Sequence, residues 1–270
     1  MFLKRNIKKA ILSAAASLLL LSFGTPDLRT VSAAEDTEEM QPVSAEELTI
    51  SGGGGYAATG QLPDTGFSCI LYNASNGLPT SDANTVLATK DGYVWIGSYS
   101  GLIRHDGQAF ERLDSSKGFA NAKSLFEDSK GRFWVGTNDN GIIMSDKGVL
   151  TYYTYKDGLP ASTVRGFAED KNGVIYVALT GGVVCIDVNM KLTVLDASFI
   201  KDEYIIRIVS DSEGNIVGCT RSGGIFRIEN KRLTAYYSGD ELGTGKISTV
   251  FADPEKAGYV YLGTEKNKIY

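Results

Sequence analysis

The sequence of 270 residues contains one histidine, two tryptophans, three cysteines and six prolines, and each scarcity excludes something. With His105 standing alone, a histidine-based metal cluster is not expected. No Gly-x-Ser-x-Gly elbow is present to place a nucleophilic serine. Cys69, Cys185 and Cys219 are scattered through apolar, strand-like runs, which is no disulfide framework. Buried free thiols are the commoner state in such runs, with one Cys185–Cys219 bridge left open. Positive charge is also short: the formal charge is −5, which gives nucleic acid no general attraction. Apolar residues spaced for a helix are absent outside the N-terminal leader, so a helical repeat is excluded. Two glycine-rich stretches fail the phosphate-loop pattern. SGGGGYAATG (51–60) lacks the Gly-Lys-Ser/Thr ending, and GTGKIS (243–248) puts Lys246 before Ile247.

What is present begins with a leader. Lys4, Arg5, Lys8 and Lys9 precede a mostly apolar run from Ala10 to Leu21, and Ser32-Ala33-Ala34 follow. Residues 1–34 therefore read as a secretory signal peptide cleaved after Ala33 or Ala34. The apolar run is shorter than the roughly 20 residues a spanning helix needs. Loss of this segment removes five Lys/Arg and one Asp and takes the charge from −5 to −9. Residues 35–64, acidic at the start and then carrying Gly52 to Gly55, read as a flexible spacer.

The rest of the chain repeats itself. Gly92, Gly131, Gly173, Gly214 and Gly258 recur at spacings of about 40 residues, the period of a four-stranded repeat. Five residues after each comes a small side chain: Gly97, Gly136, Ala178, Cys219 and Gly263. Between them lie the apolar runs YVWI, RFWV, VIYV, NIVG and YVYL. In the first unit ANTVLAT, YVWIGS, GLIRH and AFERL alternate with Asp-Gly turns, a strong hairpin signal. Four antiparallel strands per unit, side by side, predict an all-β fold, a β-propeller. The predicted blades span about 76–116, 117–156, 157–198, 199–240 and 245–270, the last unfinished. Residues 67–72 resemble an outermost strand without a blade of its own, the piece that would close a ring. These features are expected of the front part of a longer protein.

Within the blades Trp95 and Trp134, with Tyr176 and Tyr261 in the equivalent place, are predicted to fill the wedge between neighbouring sheets. Asp128, Asp170 and Asp211, three residues before a pivot glycine, read as turn caps. One carboxylate per hairpin is too few for a calcium cage. No cofactor and no metal is expected, and no catalytic residue. His105 reads as a turn residue. The second-to-third strand loops and the interblade loops gather at one end of the blades, where recognition usually resides. Tyr99, Asn138, Asp139, Asn140, Thr180 and Arg221 are the expected ligand-binding residues.

GLPTSDANTVLATKDGYVWIGSYSGL, SLFEDSKGRFWVGTNDNGI and GLPASTVRGFAEDKNGVIYVALTGGV resemble the two-component regulator propeller repeats of bacterial sensor proteins. The fourth unit departs from the pattern at Val217 and Cys219, and the fifth at Asn267-Lys268. The resemblance implies an extracytoplasmic, ligand-sensing region of a transmembrane receptor, in the periplasm or at the cell surface. It implies a C-terminal membrane span followed by a histidine kinase or a GGDEF/EAL cyclic-di-GMP output. The implied partner is an extracellular ligand, often a glycan in this family, with a homodimer through regions beyond Tyr270 as a further expectation. Two other classes remain open. A propeller enzyme would need either the supported catalytic histidine of a lyase similar to streptogramin lyase or the arginine cluster of a glycan-active, sialidase-type propeller, and a secreted adhesion scaffold would need no output.

Overall fold

The computed structural model describes residues 71–80, 82–196, 204–253 and 258–265, with isolated positions 200, 255, 256 and 269 and the backbone of 20–22. The leader apart from Leu20–Ser22, the spacer and Cys69 lie outside the described residues.

Four antiparallel four-stranded sheets follow one another in chain order. Sheet one holds β2 (Thr85–Ala88), β3 (Val94–Ser98), β4 (Gly101–His105) and β5 (Phe110–Arg112). Sheet two holds β6 (Ala122–Glu127), β7 (Phe133–Thr137), β8 (Ile142–Asp146) and β9 (Val149–Tyr153). Sheet three is β10 (Val164–Glu169), β11 (Ile175–Leu179), β12 (Gly182–Ile186) and β13 (Leu192–Val194). Sheet four is β14 (Ile205–Ser210), β15 (Ile216–Thr220), β16 (Ile225–Glu229) and β17 (Arg232–Tyr237). A fifth sheet pairs β18 (Ile247–Ala252) with β19 (Tyr259–Thr264). The outer edge of β19 is met by β1 (Leu20–Ser22) and by a single bridge from Gly263 to Ile269. In the other sheets that edge carries the third strand of the same unit. Of the segment 67–72, Leu71 and Tyr72 are described and lie outside any strand, the Tyr72 ring resting 5.1 Å from that of Phe110. Residues 67–70 are outside the described set.

The first strands of successive sheets, β2, β6, β10, β14 and β18, neighbour one another in that order. The sheets therefore radiate from a common axis, which is the arrangement of a β-propeller. Apolar side chains pack between consecutive sheets rather than inside any one. Trp134, Ile142 and Tyr153 of sheet two meet Phe167, Ile175 and Val177 of sheet three. Tyr176 and Cys185 of sheet three meet Ile208, Phe226 and Ile228 of sheet four. Val217 and Cys219 of sheet four meet Val250 and Leu262 of sheet five.

Each pivot glycine is left-handed, with φ of 97°, 78°, 76°, 79° and 74° from Gly92 to Gly258, so any other residue there is strained. The small residue five positions on has a different cause. A Cβ on Gly136 would lie 2.7 Å from Val164 Cβ of the next sheet, so smallness here sets how closely two blades approach. Trp95 is half-buried and packs against Phe133 of sheet two with ring centroids 4.6 Å apart and planes tilted by 35°, whereas Trp134 and Tyr176 are fully buried. All three point toward the following sheet, as the wedge role requires.

Candidate functional site

The short turns from the second to the third strand leave each sheet at the end where the first strand enters. A backbone belt links these turns from sheet to sheet. Asn121 N donates to Tyr99 O at 3.0 Å, and Asn138 N to Asn121 O at 3.0 Å. Thr163 Oγ1 donates to Asn138 O at 2.9 Å, and Thr180 N to Thr163 O at 3.2 Å. Thr180 then bridges to Tyr204, whose carbonyl accepts from Arg221 N at 2.9 Å. Four of the six expected binding residues, Tyr99, Asn138, Thr180 and Arg221, are thus equivalent belt positions on one face.

Asp139 and Asn140 sit in the same turn as Asn138, and their side chains hold it. Asp139 accepts from Asn121 Nδ2 at 2.8 Å and from Asn138 Nδ2 at 2.9 Å. Asn140 Nδ2 donates to Gly118 O at 3.1 Å. Tyr99, at 62%, and Asp139, Asn140, Thr180 and Arg221 are exposed, and Asn138 is half-buried. The interblade segments are shaped by short capped helical turns at Ser115–Lys117, Tyr155–Asp157 and Gly239–Leu242. Their N-caps are Asp114, Thr154 and Ser238, and each turn stops at a left-handed glycine: Gly118, Gly158 or Gly243.

Beside the belt a cavity of about 660 Å³ lies along the axis, walled by β2, β6, β10 and β14. Sequence reading missed it, together with Lys123, Arg165, Arg207 and Tyr204 around its mouth. The reason is a β-bulge at the same place in four first strands, between Ala122 and Ser124, Val164 and Gly166, Ile205 and Arg207, and Ile247 and Thr249. A bulge re-aims the extra side chain, which in sheets two and three is Lys123 and Arg165. The only available signal was a cation near the start of AKSL, VRGF and IIRI. Lys123 Nζ donates to Asn84 Oδ1 at 3.0 Å and lies 5.2 Å from the Tyr99 ring. Arg165 Cζ lies 4.3 Å over the Tyr204 ring, and Arg221 Cζ lies 5.8 Å from it. The Arg165 Nε is buried without a partner among the described residues.

At the far end the charges reverse and are engaged. Glu127 Oε2 accepts from Lys90 N of the preceding sheet at 2.8 Å. Glu169 takes both Ser129 N and Ser129 Oγ at 2.6 Å. His105 is at this far end as well, its Nδ1 accepting from Gly107 N at 3.2 Å and its ring 4.1 Å from Phe110. The turn role is what the structure gives it. Cys185 and Cys219 are free and buried in different interblade layers, so the bridge left open by the sequence is not formed. Burial pushes both thiols up to about 12, which keeps them protonated and unreactive.

The turn carboxylates do more than cap. Asp128 Oδ1 accepts from Lys130 N and Arg132 N, while Oδ2 accepts from Arg132 Nε and, at 2.9 Å, from Trp134 Nε1. Asp170 repeats the pattern with Tyr176 OH at 3.2 Å, and Asp253 with Tyr261 OH at 2.6 Å. In sheet four Val217 offers no donor, and Asn215 Nδ2 reaches Asp211 Oδ2 instead. Sheet one has Thr89 in that place, and next to its unclamped Trp95 a cavity of about 240 Å³ opens between sheets one and two.

Residues 117–139 match the two component regulator propeller family. No curated protein sequence matches the chain. Among solved structures, the extracellular domain of BT4673 from B. thetaiotaomicron is similar, with a TM-score of 0.60 at 19% identity. The likeness covers 72% of this chain and 29% of that one. A streptogramin B lyase is similar at a TM-score of 0.59 and 19% identity, over 72% of this chain and 69% of the lyase. Virginiamycin B lyase from Staphylococcus aureus gives 0.57 at 15%, over 72% and 71%. The chain thus spans under a third of the BT4673 extracellular domain, and these likenesses establish a β-propeller fold.

Proposed function

From the premise that this chain carries a two-component regulator propeller repeat on a β-propeller scaffold, we infer that it is the ligand-sensing part of a bacterial signal-transduction protein. The observation that carries the reading is the repeat at residues 117–139, set in a molecule whose second-to-third strand turns gather on one face of a rigid frame. The leader at residues 1–34 supports placement outside the cytoplasm. In this reading the belt face, with Tyr99 and Arg221 outward, receives the ligand. The bound state is then passed through a C-terminal span to a histidine kinase or a GGDEF/EAL output. No helix among the described residues is long and apolar enough to cross a membrane.

A propeller lyase is the second reading, favoured by the two lyase structures that share the fold. Against it, the chain's single histidine faces away from the belt and is committed to a turn. The two readings are separated by the reading frame beyond the codon for Tyr270. A spanning helix followed by a kinase or GGDEF/EAL domain is the expected result. A stop after further blades, with no span, would overturn the receptor assignment.

A further inference from the structure

We propose that the mouth of the axial cavity is a binding site for a small organic anion, whose carboxylate or phosphoryl group sits among Lys123, Arg165 and Arg207. The proposal names a ligand class for the sensing face and rests on that reading only for its biological purpose.

Three observations carry it. First, the cavity lining contains three cations, Lys123, Arg165 and Arg207, and one carboxylate, Glu169. That carboxylate is spoken for by Ser129 and stands four residues from Arg165, about 13 Å along the strand. None of the three cations has an ion-pair partner among the described residues, in a chain whose overall charge is −5. A positive locus in a negative molecule, set in a concave site with low-dielectric walls, selects and concentrates anions. Second, the Arg165 guanidinium carbon lies 4.3 Å over the Tyr204 ring while its buried Nε lacks an acceptor among the described residues. Buried donors of this kind find partners, and an oxyanion supplies one in the fork geometry that arginine favours. Third, Lys123 and Arg165 are the bulged residues of adjacent first strands, so two neighbouring sheets present cations at the same height. Tyr99, exposed beside Lys123, offers a ring face against which the rest of the ligand can lie. Of the belt-turn acids, Asp139 has both oxygens occupied by Asn121 and Asn138.

The test is titration of the purified chain by calorimetry with benzoate and D-glucuronate as carboxylates, glucose 1-phosphate as phosphate, and glucose as the neutral control. The proposal expects binding of at least one anion, none of glucose, and a severalfold loss of affinity between 50 and 500 mM salt through screening. The preferred anion decides between carboxylate and phosphoryl recognition. R165Q and R207Q should each weaken binding tenfold or more while keeping the parent's thermal midpoint. If R165Q does not fold, the salt dependence and the glucose control on the parent still decide. Equal binding of glucose and the anions, absence of binding to every probe at millimolar concentration, or undiminished binding in a folded R165Q/R207Q chain would each overturn the site. Signalling by the intact receptor is a separate readout, so loss of one claim leaves the other standing.

Discussion

Trp134 shows how much one side chain carries here. It is fully buried, lies 6.2 Å from Phe167 of the next sheet and gives its Nε1 hydrogen to Asp128. Trp134→Ala should lower stability by about 3–5 kcal/mol through the cavity it leaves. Trp134→Phe keeps an aromatic ring but loses the donor and part of the indole's volume, and should cost less than the alanine change, about 1–3 kcal/mol. Urea midpoints of the two variants check both the size and the order; an unchanged midpoint for the alanine variant would refute the interblade role. Gly136 is the complementary case. Gly136→Ala should cost about 1–3 kcal/mol, because the added methyl meets Val164 of the adjoining sheet and the Ser124 hydroxyl. The aromatic wedge was legible from the strand position of the residues. The Asp-to-aromatic bond was not read, although its i, i+6 spacing in two units, Asp128–Trp134 and Asp170–Tyr176, was there to be seen.

At the scale of elements, the sheets differ in how well they are enclosed. In sheet three β11 is buried at every position, with packed layers on both sides. In sheet one β2 alternates half-buried and exposed residues, and the cavity beside Trp95 loosens its contact with sheet two. Amides of β11 and β12 should therefore exchange hydrogen slowest and those of β2 and β5 much faster, since local opening follows enclosure. Exchange read by mass spectrometry that protected all four sheets equally would contradict this. Sheet four departs from the repeat without losing its packing. Gly218 stands opposite Phe226, whose ring fills the space a side chain would occupy, so a glycine and a large ring replace the two mid-sized residues, Val135–Ile143 and Val177–Val184, of sheets two and three. Strand positions were readable because short apolar runs and Asp-Gly turns act locally. The bulges were not, since an extra residue in a strand changes the pairing and leaves the apolar pattern nearly intact.

The whole molecule should have a stability plateau in pH with two limbs. On the acid side Asp253 is held below its ordinary range, first by the Tyr261 hydroxyl and then by the N–H groups of Glu255 and Lys256. Asp106, Asp187 and Glu241 are lowered by backbone N–H groups, and Asp114 by Ser116. Depressed acids stabilise the fold above their unfolded values and lose that contribution as pH falls through the folded ones, so stability should decline below about pH 4. On the alkaline side Cys185 and Cys219 rise to about 12 by burial, and Tyr261 rises to about 12 chiefly through its bond to Asp253. The unfolded chain releases these protons earlier, so stability should fall from about pH 8.5 upward for the thiols and from about pH 10 for the tyrosine. Urea midpoints from pH 3 to 11 check the shape, and Tyr261→Phe should soften both limbs. A profile flat to pH 11 would exclude the thiol contribution.

The amino-acid sequence by itself settled the fold class, the strand positions and the identity of the turn residues. Those depend on interactions within a few residues: positive φ at Gly131, the short apolar run FWV, and carboxylates that cap their own hairpin. It also placed Tyr99, Asn138, Thr180 and Arg221 on one face, because strand count alone decides which loops share an end. Only the tertiary structure decided what that face surrounds. Lys123, Arg165 and Arg207 come from three different repeats, each unremarkable in its own strand. Their meeting at one cavity mouth depends on the radial arrangement of the sheets and on bulges that turn two of them. A local pattern cannot encode such a meeting, because the distances that matter run across the axis rather than along the chain.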